Sequence, residues 1–167
     1  MGPISLTTSV DAPRERVFDF ICDLTTRESW IDHFASDYRL QRIPAQGKGA
    51  GARFRVDAPA GVTYMETVIA EAERPYRIVE HARGGRLDRL PMRLVWELEG
   101  GPTTNVSLTF WTMPAGAFDR VRETGRERWW RRRLSRALRR MAELIESGEA
   151  PPRTEVAGGD RVPTLPA

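Results

Sequence analysis

The side chains in this chain that could carry acid–base chemistry are few and widely spaced. Its histidines are His33 and His81. His81 falls in a strand-like stretch with Arg77 and Val79 on its own side and Glu80 on the other, and His33 stands beside Asp32. Glu66 and Glu127 fall where the surrounding period is apolar. Glu66 shares its alternation with Val62, Tyr64, Val68 and Ala70, and Glu127 lies on the backward extension of an apolar helical stripe. A carboxylate buried without a partner shifts toward its neutral form, which is one way a general acid or base is made. Glu66, Glu127 and His81 are therefore the candidate catalytic residues. The opposite alternation, with Met65, Thr67 and Ile69 inward, is just as apolar, so the orientation of Glu66 stays open.

Other chemistries lack their residues. A catalytic zinc needs three protein ligands, and a pair of histidines falls short, so no metal is expected. Gly47, Gly49 and Gly51 precede a strand rather than linking a strand to a helix, and neither a Gly-x-Ser-x-Gly elbow nor a His-Glu-x-x-His pair occurs. No cofactor is expected either. Cys22 is the single cysteine, on the apolar side of a predicted helix, which excludes a disulfide framework and fits a reducing cytoplasm.

The elements that must position these residues can be read from hydrophobic period. Ile4, Leu6, Thr8 and Val10 alternate as a half-buried strand that ends at Asp11-Ala12-Pro13. Pro13 suits a helix start, and Val17, Phe18, Ile21 and Cys22 recur at helical spacing to about Asp23. Thr25 or Thr26 can cap a second short helix bearing Trp30, Ile31 and Phe34 on one side. From Asp37 to Thr112 the period is two, broken by turns at Pro44–Gly51, Arg74-Pro75, Gly84-Gly85 and Gly100-Gly101-Pro102. That makes seven strands, the first separated from the rest by two helices.

A long helix closes the sequence, from Phe118 or Asp119 to Ser147. Trp130, Leu134, Ala137, Leu138, Met141, Leu144 and Ile145 make one stripe, with arginines opposite. Carried back toward the N-terminus, the stripe meets Glu123 and Glu127, while Phe118 and Val121 lie elsewhere and Gly125 interrupts. The front half therefore either bends near Gly125 or faces something polar. After Gly148 the sequence is rich in Pro, Gly and charge, which predicts a disordered tail over 148–167 behind one domain at 1–147.

Lys+Arg of 26 against Asp+Glu of 23 leaves a net charge of only +3, and Lys48 is the sole lysine. Such a bias is what a GC-rich genome produces through codon usage. The arginines of the last helix are interleaved with Glu123, Glu127, Glu143 and Glu146, and no nucleic-acid motif is present, so nucleic acid is not expected as a partner. A protein-interaction role for that arginine-rich helix is the weaker alternative. The N-terminus lacks a basic segment followed by an apolar run, no stretch is long enough to span a membrane, and Leu6 stands where a myristoylation signal needs Ser or Thr. A cytoplasmic protein without a stable membrane anchor is expected, its oligomeric state left open.

The segments VDAPRERVFDFICD at Val10–Asp23, Trp30 after it, GAGARFR at Gly49–Arg55, the VIAEAERPYRIVE hairpin at Val68–Glu80 and the closing helix resemble the helix-grip superfamily. That superfamily includes START lipid-transfer domains, birch-pollen-allergen-like proteins and bacterial polyketide cyclase/dehydrase proteins, and the likeness runs over about Ile4 to Ile145. It implies an α+β fold in which a seven-stranded antiparallel sheet wraps a long C-terminal helix around a hydrophobic cavity, with two short helices closing one end. It also implies a small hydrophobic or amphipathic ligand, lipid-, polyketide- or quinone-like, held for carriage or sensing. The alternative is a polyketide cyclase, aromatase or dehydratase. Enolate chemistry of that kind needs a base and an oxyanion donor, with Glu66 or Glu127 as candidate base and Tyr64, Arg53 or His81 as donor. The candidate ligand-binding residues are Trp30, Phe34, Phe54, Tyr64, Glu66, Trp96, Phe110, Glu123, Glu127 and Trp130. Of these, Trp30, Trp96 and Trp130 suit a flat or ring-bearing molecule. Arg120, Arg122, Glu123, Arg126 and Glu127 depart from the small or apolar residues that many members carry at the front of the last helix.

Overall fold

The computed structural model describes residues 2–41, 44–59, 61–85, 90–114 and 116–155, with backbone only at 117–119, 122 and 123. The elements run in the order β1 (Ile4–Val10), α1 (Arg14–Cys22), α2 (Glu28–Ile31), β2 (Ala35–Leu40), β3 (Gly51–Ala58), β4 (Gly61–Glu73), β5 (Arg77–Gly84), β6 (Leu90–Gly100), β7 (Thr104–Thr112) and α3 (Ala117–Ser147). The seven strands form one antiparallel sheet in the order β1-β7-β6-β5-β4-β3-β2, and α3 packs on it. This is the expected α+β architecture. The first strand is added to the far edge beside the last, because α1 and α2 carry the chain across the sheet before β2 begins.

Hairpins set the register, and register decides which face each side chain takes. β3 pairs with β4 so that Phe54 opposes Met65 and Ala52 opposes Thr67, all of them buried. Glu66 consequently points the other way, opposite Arg53 on β3 and Arg83 on β5. The alternation that would have placed Val62, Tyr64 and Glu66 inward is thus corrected: Val62 is 54% and Tyr64 44% exposed. Physically, the outer face gives Glu66 an arginine on each side and a share of solvent, so it bears no large desolvation cost. Two register shifts bend the sheet, one in β4 between Ile69 and Glu71 and one in β2 between Ser36 and Arg39. At the second, Asp37 has φ of 51°, a left-handed conformation that Asp tolerates better than most residues.

The rear of α3 buries Trp130, Leu134, Ala137, Leu138, Met141, Ala142 and Ile145. Gly148 ends the helix in the left-handed conformation (φ 72°), and Arg16 of α1 donates to the carbonyl of Ile145 at 2.6 Å, covering a terminal acceptor. The front of the helix resolves the broken period. Arg126, one turn before Trp130, is buried and its Nε donates to the carbonyl of Pro59 at 2.8 Å, in the turn between β3 and β4. The inward row therefore continues through an arginine and not through Glu127, which pairs with Arg131 on the outer side at 3.5 Å. A long aliphatic stem can cross apolar surface and reach a carbonyl, whereas a glutamate would find no donor there.

Beyond the helix, residues 148–155 lie back against the loop before α2. The Thr154 amide donates to the carbonyl of Thr25 at 2.7 Å, and its hydroxyl donates to Glu28 at 2.8 Å. The rest of the expected tail, 156–167, lies outside the described residues. Thr25 and Thr26 do not cap α2. Instead the Asp23 carboxylate accepts from the Thr25 amide and hydroxyl at 3.0 and 2.6 Å, shaping the turn that sends Arg27 inward.

Cys22, the last residue of α1, is buried, and burial, the largest influence, pushes its thiol up to about 12 from 9.0. The native protein is therefore expected to leave an aromatic disulfide reagent unreduced at pH 8 and to react with it promptly on unfolding. Rapid labelling of the folded chain would show that Cys22 is accessible. The sign of the linkage follows, since a group whose folded pKa is raised lends stability below its unfolded value and loses it as pH climbs. Stability should fall between about pH 9 and about pH 12. Tyr38, whose buried hydroxyl donates to the carbonyl of Leu24 at 2.9 Å, is raised by the same burial and acts in the same direction.

Candidate functional site

Between α3, α2 and the inner face of β3–β7 lies a cavity of about 50 Å³. Its walls are built by strand alternation and helical spacing. Phe54, Met65, Thr67, Glu80, Ala82, Leu94, Trp96, Leu108 and Phe110 come from five adjacent strands, and Trp130, Leu134, Ala137 and Leu138 come from one face of α3. Arg27, Trp30, Ile31 and Phe34 close the end. The space exceeds the roughly 10–15 Å³ that a single water requires but falls far short of the roughly 300–1,000 Å³ of a pocket for a drug-sized ligand. Phe34 and Leu94 are the lining residues that are only half-buried, so they mark where the cavity comes nearest to solvent.

The aromatic walls meet edge to face. Trp30 and Trp96 have ring centroids 6.2 Å apart at 89°, and Phe34 and Trp130 stand 6.2 Å apart at 84°, whereas Phe110 is tilted at 53° to Trp130, 5.1 Å away. Such edges place ring hydrogens against neighbouring π faces and fix the indoles in orientation.

At the inner end sits a buried polar cluster centred on Glu80, which is wholly buried on β5. Arg27 Nη1 donates to Glu80 Oε2 at 2.6 Å, Thr67 Oγ1 donates to the same oxygen at 2.9 Å, and Trp96 Nε1 donates to Oε1 at 2.8 Å. Arg27 Nη2 donates in turn to the carbonyl of Ile21 at 2.8 Å. Burial works against the charge of Arg27, and the adjacent Glu80 carboxylate more than offsets it, holding the guanidinium above its ordinary value. Its plane also lies 5.1 Å over the Trp30 ring. Three donors and no acceptor face Glu80, two on Oε2 and one on Oε1.

Set against that, some donors have no protein partner. Arg27 Nε, Trp30 Nε1 and Trp130 Nε1 are buried without an acceptor. Buried polar groups are nearly always satisfied; Arg14 Nε, His33 Nδ1, Arg93 Nε and Thr112 Oγ1 also lack a hydrogen-bond partner elsewhere, but these three belong to residues that line one cavity.

The structure brings Trp30, Phe34, Phe54, Trp96, Phe110 and Trp130 together around the cavity. It does not bring Tyr64, Glu66, Glu127 or His81 there. Tyr64 stacks under Arg53 at 5.0 Å on the outer face, and Glu66 and His81 share an outer depression with Val68 and Arg83. Glu127 is held by Arg131 at the helix surface. The side chain of Glu123 lies outside the described residues. The pairing of Glu66 or Glu127 with Tyr64, Arg53 or His81 around a shared point is therefore corrected: strand register turns Tyr64, Glu66 and Arg53 outward. Sequence reading missed Arg27, Thr67 and Glu80. A signal existed for Glu80, which has the parity of Ile78 and Ala82 on an apolar face, and for Thr67, which lies between Met65 and Ile69. Among the described residues no cluster of three or more His, Cys, Asp or Glu is placed to hold a metal, and no helix is long and apolar enough to cross a membrane.

Solved structures share this architecture. TTHA0849 from Thermus thermophilus superposes with a TM-score of 0.66 at 14% identity, covering 89% of this chain and 100% of that one. The ZhuI aromatase/cyclase from Streptomyces sp. R1128 gives 0.67 at 18% identity, covering 87% and 93%. DynU16, a protein of the dynemicin biosynthetic locus, gives 0.62 at 18% identity, covering 91% of this chain and 49% of that one. At such identities the likeness is one of fold. None of the curated proteins matches the sequence. The sequence does match, over residues 1–146, the family described as polyketide cyclase / dehydrase and lipid transport, and the chain belongs to that family.

Proposed function

We propose that this protein binds a small ring-bearing molecule with hydrogen-bond acceptors in the cavity between α3 and the sheet, as a carrier or sensor. The observation that carries the reading is the set of unpaired donors, Arg27 Nε, Trp30 Nε1 and Trp130 Nε1, on residues lining an otherwise apolar and aromatic space. A ligand that offers carbonyl oxygens satisfies donors that the protein leaves unmet, and flat rings fill the gaps between indole and phenyl edges. The charge of Arg27 is already balanced by Glu80, so a neutral carbonyl suits the site better than a carboxylate, which would add an uncompensated buried charge. A ligand of several rings needs more room than about 50 Å³, and the half-buried Phe34 and Leu94 are where the wall is expected to yield.

Binding is favoured over acid–base catalysis by the state of Glu80. It is the cavity's carboxylate among the described residues, and its oxygens are occupied by Arg27, Thr67 and Trp96. A base must take up a proton, and protonating Glu80 would break its ion pair and leave the Arg27 guanidinium buried and uncompensated.

The test is a thermal-shift and calorimetric comparison of 1,4-naphthoquinone, 1-naphthol, naphthalene and a fatty acid. The quinone is expected to bind about tenfold more tightly than the hydrocarbon, the value of one to two hydrogen bonds. Trp130→Phe, which removes one of the three donors, should narrow that preference, read as the ratio of quinone to naphthalene affinity so that the change in the wall cancels. No shift from any of them, with no small molecule co-purifying from the native host, would sink the binding reading.

A further inference from the structure

The outer face of α3 is not accounted for by the cavity. Residues 128–140 contain Arg128, Arg131, Arg132, Arg133, Arg136, Arg139 and Arg140 and no acidic residue. Over about 18 Å of helix this is a dense line of positive charge. Arg140 is paired with Asp32, Arg131 with Glu127, and Arg133 donates to the carbonyl of His33 at 3.4 Å. Arg128, Arg132, Arg136 and Arg139 are exposed, and among the described residues no carboxylate is paired with them. Arg128, Arg132 and Arg136 follow one another at i,i+4 spacing, where like charges weaken a helix. Codon bias explains arginine in place of lysine. It does not explain the lack of an acidic residue among them.

The charge surrounds Trp129. This side chain is half-buried, bordered by the arginines in a surface groove, and lies 5.7 Å beneath the Arg133 guanidinium. It also touches the cavity wall from outside. Trp129 meets Phe34 edge to face at 6.3 Å and Trp130 at 4.8 Å. The half-buried wall of the cavity and the cationic strip are therefore neighbours, joined through one cluster of three aromatic rings.

We propose that this face docks on the surface of an anionic lipid bilayer, with the arginines among the headgroups and Trp129 at the interface, so that the Phe34 side of the cavity faces the membrane. Charge complementarity favours an anionic surface, and the choice of a bilayer rests on Trp129. An indole with apolar rings and an N–H partitions to the headgroup level, and arginine stems can snorkel beside it. A nucleic-acid strand would stack its bases on open aromatic faces, whereas Trp129 is half-buried, with Arg133 over its ring and Phe34 and Trp130 edge to face with it. A bilayer is also where an apolar ligand is concentrated. The proposal concerns the helix surface and stands whether or not the cavity reading holds, since vesicle binding is measured without added ligand.

Co-sedimentation of the full chain with phosphatidylcholine vesicles, with and without phosphatidylglycerol, is the test. Each arginine near an anionic surface contributes about fivefold to partitioning. R128Q/R132Q/R136Q/R139Q should therefore bind anionic vesicles two to three orders of magnitude more weakly, at an unchanged unfolding temperature because all four side chains are exposed. Raised salt should weaken the wild-type protein in the same sense. Brominated lipid should quench the wild-type fluorescence, and Trp129→Phe should remove most of that quenching. Equal binding to neutral and anionic vesicles, or none to either, would overturn the proposal. So would salt-sensitive binding to a single-stranded oligonucleotide that exceeds binding to vesicles, which would assign the strip to nucleic acid.

Discussion

Glu80→Ala should lower the unfolding temperature by roughly 6–20 °C. Removing one partner of a buried ion pair leaves the other charge uncompensated and costs about 3–5 kcal/mol, and a domain of this size loses about 2–4 °C per kcal/mol. Here the stranded group is Arg27, 4% exposed and stacked near two indoles, with no route to water. Thr67 and Trp96 would lose their acceptor in the same substitution. The double variant Arg27→Met/Glu80→Leu removes the desolvation cost together with the attraction and should recover the part of the loss that comes from the stranded charge, leaving that of the Thr67 and Trp96 donors. Differential scanning calorimetry of the wild type and the single and double variants decides the matter. If Glu80→Ala melts with the wild type, the cluster is not buried as described. If the double variant is as unstable as the single, the shape of the cluster matters more than its charge.

Ala137→Leu should separate fold from binding. Ala137 is 2% exposed on α3 and lines the cavity, so its added carbons enter the space proposed for ligand. Buried carbon contributes about 0.8 kcal/mol per methylene, while imperfect fit takes back about 1–3 kcal/mol, so the melting temperature should move by only a few degrees. Ligand is affected far more. One methylene too many in a pocket costs about 10- to 200-fold, and three carbons should reduce affinity for a ring-bearing ligand by more than about a hundredfold. Calorimetric titration of the variant is the measurement. Undiminished affinity would place the ligand elsewhere, with the surface groove by Trp129 the first alternative.

Several parts of this molecule were legible before folding was considered. The strand at Ile4–Val10, the two short helices after Pro13, the hairpin turning at Arg74-Pro75 and the apolar stripe from Trp130 to Ile145 each announce themselves through local period and turn chemistry. The aromatic walls at Trp30, Phe34, Phe54, Trp96, Phe110 and Trp130 were legible for a related reason, since large rings at inward positions seldom face water. Glu66 marks where this stops. Its strand is apolar on both parities, so composition could not choose between them, and only the pairing of Phe54 with Met65 turned Glu66 outward.

The polar heart of the site was hidden for a different cause. Arg27 and Glu80 lie 53 residues apart, and each alone reads as an ordinary charged residue. Each can be buried only because the other is there, and that mutual condition is a property of two positions in space. Arg126 repeats the lesson, since its place in the core depends on a carbonyl offered by Pro59 across 67 residues. The sequence by itself determined the elements, the hairpin order and the greasy face of the last helix, because these follow from period and turn residues acting over a few positions. The tertiary structure alone decided which charges go inside, which donors are left unpaired around the cavity, and that the cationic strip lies against its half-buried wall. Those outcomes depend on desolvation, which is set by what surrounds a group in three dimensions and not by its neighbours along the chain.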